Sequence, residues 1–397
     1  MVVIDSSSDA TQQTELSTKN SRLVGVGSAG IRALMYQLTT LYLRTPPAKL
    51  FRPTRVDYMA ITRLFVNQDR DNGRSHGSSR RYNFYKDSSL GVLISAVRKF
   101  GWRFIPERVL PPLFANSATG FVLYTSYLTS LQHFNGQKTN FLENPSPIDT
   151  FRAGFVAGTF QSIAAAPIDA IYARSTANEL LKGKHENLWR FGFEKLREVG
   201  FSGVFAGYGL SFIKESISFA IYFSTFETIK NQVYRYTRDS MISYYYYKEK
   251  VLKASFALTR DEYEAMLKEQ GQFRFLKTSF VFIAGITASL ALHLVQYPIA
   301  KIQTIHLQRL EAFDYFNSAK NSSSRRLMTV YYNSYIDTME HVLFIQLNSR
   351  LSWKEWLYKG FKRHALSTIP STTLGLVVLE ALRTKLADEI GDTSFQS

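Results

Sequence analysis

The feature that most constrains this chain is a spacing written twice. Gly154-x-x-x-Gly158 lies 13 and 9 residues ahead of Pro167, and Gly285-x-x-x-Ser289 lies 13 and 9 residues ahead of Pro298. A second signal closes each unit. Gly207 stands 20 residues before the acid of Phe226-Glu227-x-x-Lys230, and Gly360 stands 20 residues before that of Leu379-Glu380-x-x-Arg383. A chain that repeats such signals is built from copies of one supersecondary unit, so repeat architecture takes precedence over any single motif.

The apolar residues gather into segments of membrane-helix length, at 23–43, 109–131, 151–172, 208–229, 278–304 and 364–386. Each carries Pro, Gly, Ser, Thr or a charge. Membrane depth tolerates such residues where they face a water-filled cavity or a neighbouring helix.

These residues resemble the mitochondrial carrier family, in which three tandem repeats each contain a Pro-kinked odd helix, a short matrix helix and an even helix. The family's odd-helix signature, Pro-x-acid-x-x-base, is matched in part by Pro167-Ile168-Asp169, and its even-helix signature by Phe226-Glu227-x-x-Lys230. The aromatic-base-Gly start of an even helix is matched by Tyr358-Lys359-Gly360. A third copy aligns about 100 residues ahead of the second, where Ala96 to Trp102 falls against Lys195 to Phe201. This copy is eroded. Glu107 stands where the Gly belongs, and Tyr127 and Ser130 stand where the acid and base belong; Pro46, Pro47 and Pro53 are alternative kinks.

The resemblance implies an all-α membrane protein, six transmembrane helices in three pseudo-symmetric repeats. The boundaries it suggests are a disordered polar stretch at 1–21, repeat one at 22–135 with a polar insertion at 66–88, and repeat two at 150–230. An inter-repeat loop with a charged helix follows at 231–274, then repeat three at 275–386 and a tail at 387–397. Within the loop, Thr259-Arg260-Asp261-Glu262 reads as a capped helix start.

The formal net charge of +16 raises nucleic acid as a partner. No basic domain stands apart from the apolar spans, and a basic flank touching anionic lipid accounts for the excess. The chain has no cysteine, which removes disulfides and thiolate metal sites. The first 21 residues carry Asp5, Asp9 and Glu15, unlike an acid-poor transit peptide, so import is expected to use internal signals. Gly25-Val26-Gly27-Ser28-Ala29-Gly30 matches a dinucleotide fingerprint, but no strand precedes it and no βαβ pattern follows. The histidines have no ligand spacing with acids, and no nucleophile elbow or phosphate loop is present. No enzyme, metal site or cofactor is expected.

Lys214-Glu215 is the most consequential pair, because it falls in the middle of an apolar segment. A charge at a helix centre costs about 2.5–3.5 kcal/mol on insertion scales, so two charges there need water, mutual pairing or a ligand. The resemblance places substrate contacts 13 and 12 residues before the even-helix acid, at Lys214 and Glu215 in repeat two and at Ser367 and Thr368 in repeat three. Arg32 and His293 are further candidates for cavity contact; either can instead snorkel or bond a carbonyl.

By the same resemblance Glu227, Lys230, Glu380 and Arg383 form a cytoplasmic gate. Glu227 is expected to pair with Arg383, and Lys230 and Glu380 to lack charged partners because repeat one supplies neither. On the matrix side Asp169 is the one acid in place, with Tyr172 and Gln303 at base positions and Ala300 at the third repeat's acid position. Pro167 and Pro298 are the helix kinks. Tyr358, Lys359 and Gly360 would hold a lipid phosphate at a helix start, the lipid being cardiolipin, or serve as a plain interfacial anchor.

Two functions follow. The first is a monomeric transporter of a small charged, amino-acid-like metabolite across the mitochondrial inner membrane by alternating access. The second is a carrier-fold scaffold or tether that no longer transports, in the outer membrane, which the eroded first repeat favours.

Overall fold

The computed structural model describes residues 89–134, 145–173, 188–252, 259–262, 264, 272–318, 324–370, 372–374, 376–377 and 380. Arg32, Arg383, the Gly25 to Gly30 motif, the first apolar span, the candidate kinks Pro46, Pro47 and Pro53, the insertion at 66–88 and both chain ends lie outside these. Every regular element among the described residues is helical.

Among the described residues nine helices run in chain order: α1 Ser89–Phe100, α2 Leu110–Phe134, α3 Pro147–Ile168, α4 Leu188–Val204, α5 Tyr208–Glu227, α6 Tyr234–Leu252, α7 Gln272–Ser318, α8 Ser324–Asn348 and α9 Trp353–Leu357. A tenth, α10, is described over 361–370 and again at 372–374, 376–377 and 380. Three short π-helical turns interrupt the series, at Ile105–Val109, Asp169–Ala173 and Thr228–Val233.

The long helices pack in chain order: α2 on α3, α3 on α5, and α5 on α7. The α7–α10 contact completes the row through Gly285 against Thr373 and Ser289 against Thr372. One apolar cluster draws on all five helices, with Tyr127, Ala157, Phe223, Ala288 and Leu376 among its members.

The small-residue pairs explain the closest of these contacts. A Cβ on Gly154 would lie 2.7 Å from the Phe219 carbonyl oxygen, and one on Gly158 would lie 2.5 Å from that of Glu215. Only glycine lets the α3 and α5 backbones approach so closely. Thr159 and Ser216 then share a hydroxyl hydrogen bond of 3.0 Å across the seam. The third repeat uses the same face, where Thr372 donates to Ser289 Oγ at 2.8 Å.

Helices α5 and α10 start alike. Gly207 and Gly360 both adopt left-handed backbone, with φ of 83° and 88°, which an L side chain rarely tolerates. Repeat one, with Glu107 there, enters α2 through a π-helical turn instead. Gly101 and Gly200, aligned from sequence, share left-handed φ values of 77° and 68°.

Proline acts differently in the two odd helices. Pro167 is followed at once by the π turn that carries Asp169. Pro298 sits inside the 47-residue α7 without ending it. A proline removes the N–H that would bond the carbonyl four residues back, here Leu294. That carbonyl accepts instead from the Tyr358 hydroxyl at 2.9 Å.

Among the described residues one helix, Phe275–Leu310, is long and apolar enough to cross a membrane by composition. The expected spans at 109–131, 151–172 and 208–229 are helical, but their polar residues lower the mean hydropathy below that standard. The 231–274 stretch, expected as a loop with a charged helix, contains the 19-residue α6, which continues α5 through the Thr228–Val233 turn. Farther on, Thr259 N–H donates to Glu262 Oε2 at 2.8 Å and Glu262 N–H to Thr259 Oγ1 at 3.4 Å, a reciprocal cap.

Candidate functional site

Lys214 and Glu215 sit midway along α5, 8% and 3% exposed. Lys214 Nζ lies 3.1 Å from Glu215 Oε1, so the two charges meet each other first. Each also bonds a glutamine of α7. Lys214 Nζ donates to Gln303 Oε1 at 2.7 Å, and Gln296 Nε2 donates to Glu215 Oε2 at 3.3 Å. Gln296 and Gln303 are seven residues apart, two turns along one helix face. A buried ion pair repays its desolvation only when its remaining hydrogen-bonding capacity is met, and these amides meet part of it.

Next to this pair, Ser211 Oγ donates to Asp169 Oδ2 at 3.4 Å, tying α5 to the π turn after Pro167. Asp169, Gly207, Tyr208, Ser211, Gln303 and Leu307 line one cleft. Gln303, expected at a base position of the matrix network, thus joins that cleft to Lys214.

Ser367 and Thr368 lie on α10 at the positions matching Lys214 and Glu215, and both are buried. Their hydroxyls donate to the His364 carbonyl. His293 is 5% exposed on α7, its ring 5.1 Å from that of His364 and perpendicular to it.

The charged residues expected to form a gate pair otherwise than expected. Lys230 Nζ contacts Glu227 at 3.0 Å and Glu380 at 3.1 Å, bridging the ends of α5 and α10. Lys230 and Glu380, expected to lack charged partners, are partners of each other. The family's acid-to-next-base rule leaves this pair out; Lys230, in the π turn after α5, instead reaches the acid of α10 directly. Glu227 also accepts from Asn231 Nδ2 at 3.0 Å.

Where repeat one lacks the acid, Tyr127 stacks on Phe223 with ring centroids 3.7 Å apart and 10° between planes. Tyr124 meets the same ring edge-on at 5.7 Å. An aromatic plug occupies the helix interior near the charged bridge.

The Tyr358-Lys359-Gly360 turn is fastened to α7. Beyond the Tyr358 bond to Leu294, Tyr297 donates its hydroxyl to the Lys359 carbonyl at 2.6 Å. Lys301 donates to the Trp356 carbonyl and lies over the Trp356 ring at 4.1 Å. Lys359 and Gly360 remain exposed.

Sequence reasoning missed Gln296, Tyr297 and the Tyr127–Phe223 stack. The seven-residue interval between the glutamines was the available signal for the first. The stack had none, because it depends on how α2 and α5 converge.

No curated protein and no solved structure is significantly similar to the chain. Residues 143–237, from just before α3 into α6, match the family described as mitochondrial carrier protein. Members of that family are small-molecule transporters of mitochondrial membranes rather than enzymes. The matched segment holds the glycine seam, Pro167, the Lys214–Glu215 pair and the Glu227–Lys230 signature, and over this stretch the chain is similar to mitochondrial carrier proteins.

Proposed function

We propose that the chain moves a small charged, amino-acid-like metabolite across the mitochondrial inner membrane by alternating access, within six helices in three repeats. The observation that carries this reading is the buried Lys214–Glu215 pair with glutamine partners on the next helix. A base beside an acid offers a zwitterion one partner for each of its charges, and neutral amides take over when it leaves. Ser367, Thr368 and His293 supply further polar contacts on α10 and α7, and Arg32 is assigned to the same cavity. Lys230 with Glu227 and Glu380, completed by Arg383, holds one end closed, and Asp169 belongs to the opposite gate. Pro167 and Pro298 are the kinks about which the odd helices rock. Tyr358, Lys359 and Gly360 hold a cardiolipin phosphate at the start of α10. The chain works as a monomer.

The test is uptake into proteoliposomes preloaded with a mixed metabolite pool. Lys214→Ala and Glu215→Ala are each expected to cut flux at least tenfold with folding intact. Equal flux in the wild-type chain and both variants would remove the pair from the site.

A second reading is a carrier-fold scaffold or tether in the outer membrane. The aromatic plug favours it, since Tyr127 and Phe223 fill space where a charged gate would open and close. Well-folded protein without flux, together with outer-membrane residence by protease protection, would select this reading.

A further inference from the structure

Helix α8 divides lengthwise into three faces. One is packed, with Tyr331, Ser334, Thr338, Val342 and Gln346 buried. It is fastened to the bundle at named points. His306 Nδ1 and Thr338 Oγ1 share a 2.8 Å hydrogen bond, and the His306 ring stacks on that of Tyr335 at 4.3 Å. The Gly209 N–H donates to the Tyr335 hydroxyl at 3.1 Å, and Tyr331 joins Leu310 in one buried cluster.

The second face is apolar and uncovered. Tyr332, Ile336, Met339, Leu343 and Leu347 are between 47% and 72% exposed. At about 100° per residue these five fall within about 80° of arc, and the stripe they form is about 22 Å long. The third face is polar. It carries Asn333, Asp337, Glu340, His341 and Asn348, with Phe344 the one large apolar residue among them. A surface helix of a soluble domain needs a packed face and a wet one. A continuous apolar third face calls for a third medium.

The position of α8 says which medium. Its contacts set its middle level with His306 to Leu310, the last turn of the apolar Phe275–Leu310 span, and with the start of α5 at Gly209. Farther back on α7 the exposed row is apolar, with Phe282, Ile286, Leu290 and Leu294. From Pro298 to Leu310 the exposed positions are Thr304 and Gln308. The change from apolar to polar surface thus falls just short of the contact with α8, which is where a bilayer would end. A protein partner could cover such a stripe at any height, whereas a bilayer requires it at this one. Protein interfaces also carry several hydrogen bonds, and the stripe offers no strong hydrogen-bonding group beyond the Tyr332 hydroxyl. Past α8 follow exposed Trp353 and Tyr358 with Arg350, Lys354 and Lys359, residues suited to headgroup depth. The exposed acid among them, Glu355, is engaged in capping α9.

We propose that α8 lies in the plane of the membrane surface, with the Tyr332 to Leu347 stripe inserted among the acyl chains of the leaflet at this end of α7; the inference rests on the membrane reading above. Through Tyr335 and Thr338 that lipid contact is tied to the start of α5 and to α7, beside the cleft of Gly207, Gln303 and Leu307.

The test uses the full-length chain, which has no cysteine, in mixed phosphatidylcholine–phosphatidylglycerol vesicles. Single cysteines at exposed positions, Ile336→Cys, Leu343→Cys, Glu340→Cys and, within the α7 span, Ile286→Cys, each carry a nitroxide spin label. Collision with oxygen, which gathers in hydrocarbon, is compared with collision with a water-soluble nickel chelate. The oxygen-to-nickel ratio is expected to be severalfold higher at Ile336 and Leu343 than at Glu340, and to approach that at Ile286. Equal ratios at Ile336, Leu343 and Glu340 would put the stripe in water and overturn the proposal. Exclusion of both reagents from the stripe would overturn it too, because protein then covers the face. An oxygen-rich Ile286 beside a wet stripe sinks this proposal alone, whereas water at Ile286 as well takes the membrane reading with it.

Discussion

The Tyr358 hydroxyl donates 2.9 Å to the carbonyl of Leu294, the acceptor that Pro298 leaves without its helical N–H. A residue placed by sequence at a lipid-facing helix start thereby repairs the kink of the neighbouring odd helix. The two roles are compatible, since the phenol serves α7 while Lys359 and the α10 start stay exposed.

Removing that hydroxyl isolates the repair. Tyr358→Phe keeps the ring but takes the donor from the Leu294 carbonyl, and the expected loss is about 0.5–1.5 kcal/mol, the range for one ordinary hydrogen bond at an exposed site. Thermal unfolding in detergent is expected to fall by several degrees, while Lys359→Ala leaves it unchanged. Equal midpoints for Tyr358→Phe and wild type would show that the kink carbonyl finds another donor.

The α3–α5 seam has no room for a methyl group. At Gly158 a Cβ would meet backbone atoms of Glu215 and Ser216 at 2.5 and 2.7 Å, and backbone cannot yield as a side-chain tip can. Gly158→Ala is expected to cost at least about 1–3 kcal/mol as overpacking. Gly192→Ala, whose Cβ would meet only Ile171 at 3.6 Å, is expected to be neutral or mildly stabilising. The contrast in unfolding temperature between the two checks the packing directly.

Lys230 bridges two carboxylates at once. Lys230→Met removes the cation that joins Glu227 to Glu380, which loosens the link between α5 and α10 at this end. The absence of cysteine makes a clean reporter possible. In a Ser218→Cys background, thiol labelling is expected to rise roughly tenfold on adding Lys230→Met, a shift of about 1.4 kcal/mol. Unchanged labelling would mean that the Tyr127–Phe223 stack alone holds the end shut.

The cap at Thr259 gives a pH signature outside the spans. Hydrogen bonds from the Thr259 backbone N–H, then from its side chain, hold the Glu262 carboxyl below its ordinary value of 4.5. A carboxylate lowered in the folded state stabilises above its ordinary value and loses that contribution as pH falls through the lowered one. Amide protection factors over 260–264 are expected to be flat above pH 5 and to fall below it. Thr259→Ala is expected to flatten the dependence, and an unchanged profile would remove the cap as its cause.

Much of this architecture was legible because spacing survives where composition does not. The 13-and-9 interval before each proline marked both close seams, and the 20-residue interval marked both left-handed helix starts. Lys214 and Glu215 stood out as charges within an apolar run. Their glutamine partners did not, since Gln296 and Gln303 are unremarkable until α7 is laid beside α5. The Lys230–Glu380 bridge was missed because the family rule pairs each acid with the base of the next even helix, which left these two dependent on the eroded first repeat, whereas the structure brings them to each other. The α6 helix was hidden by a polar, tyrosine-rich composition that reads as connector. Repeat one was faint for a physical reason as well, since its π turn replaces the glycine that announces the other two even helices.

The unbroken run from Tyr208 through Leu252 makes α5, its π turn and α6 a single rod. At 1.5 Å per residue the rod is roughly 67 Å long, more than twice the hydrocarbon core of about 30 Å. Lys214 and Glu215 ride near one end and the tyrosines Tyr244 to Tyr247 near the other. A tilt of about 10° at the charged pair would sweep the far tip through about 10 Å. The rod is a lever whose long arm lies beyond the seam with α3, so events at the ion pair become displacement at a surface that other molecules can feel.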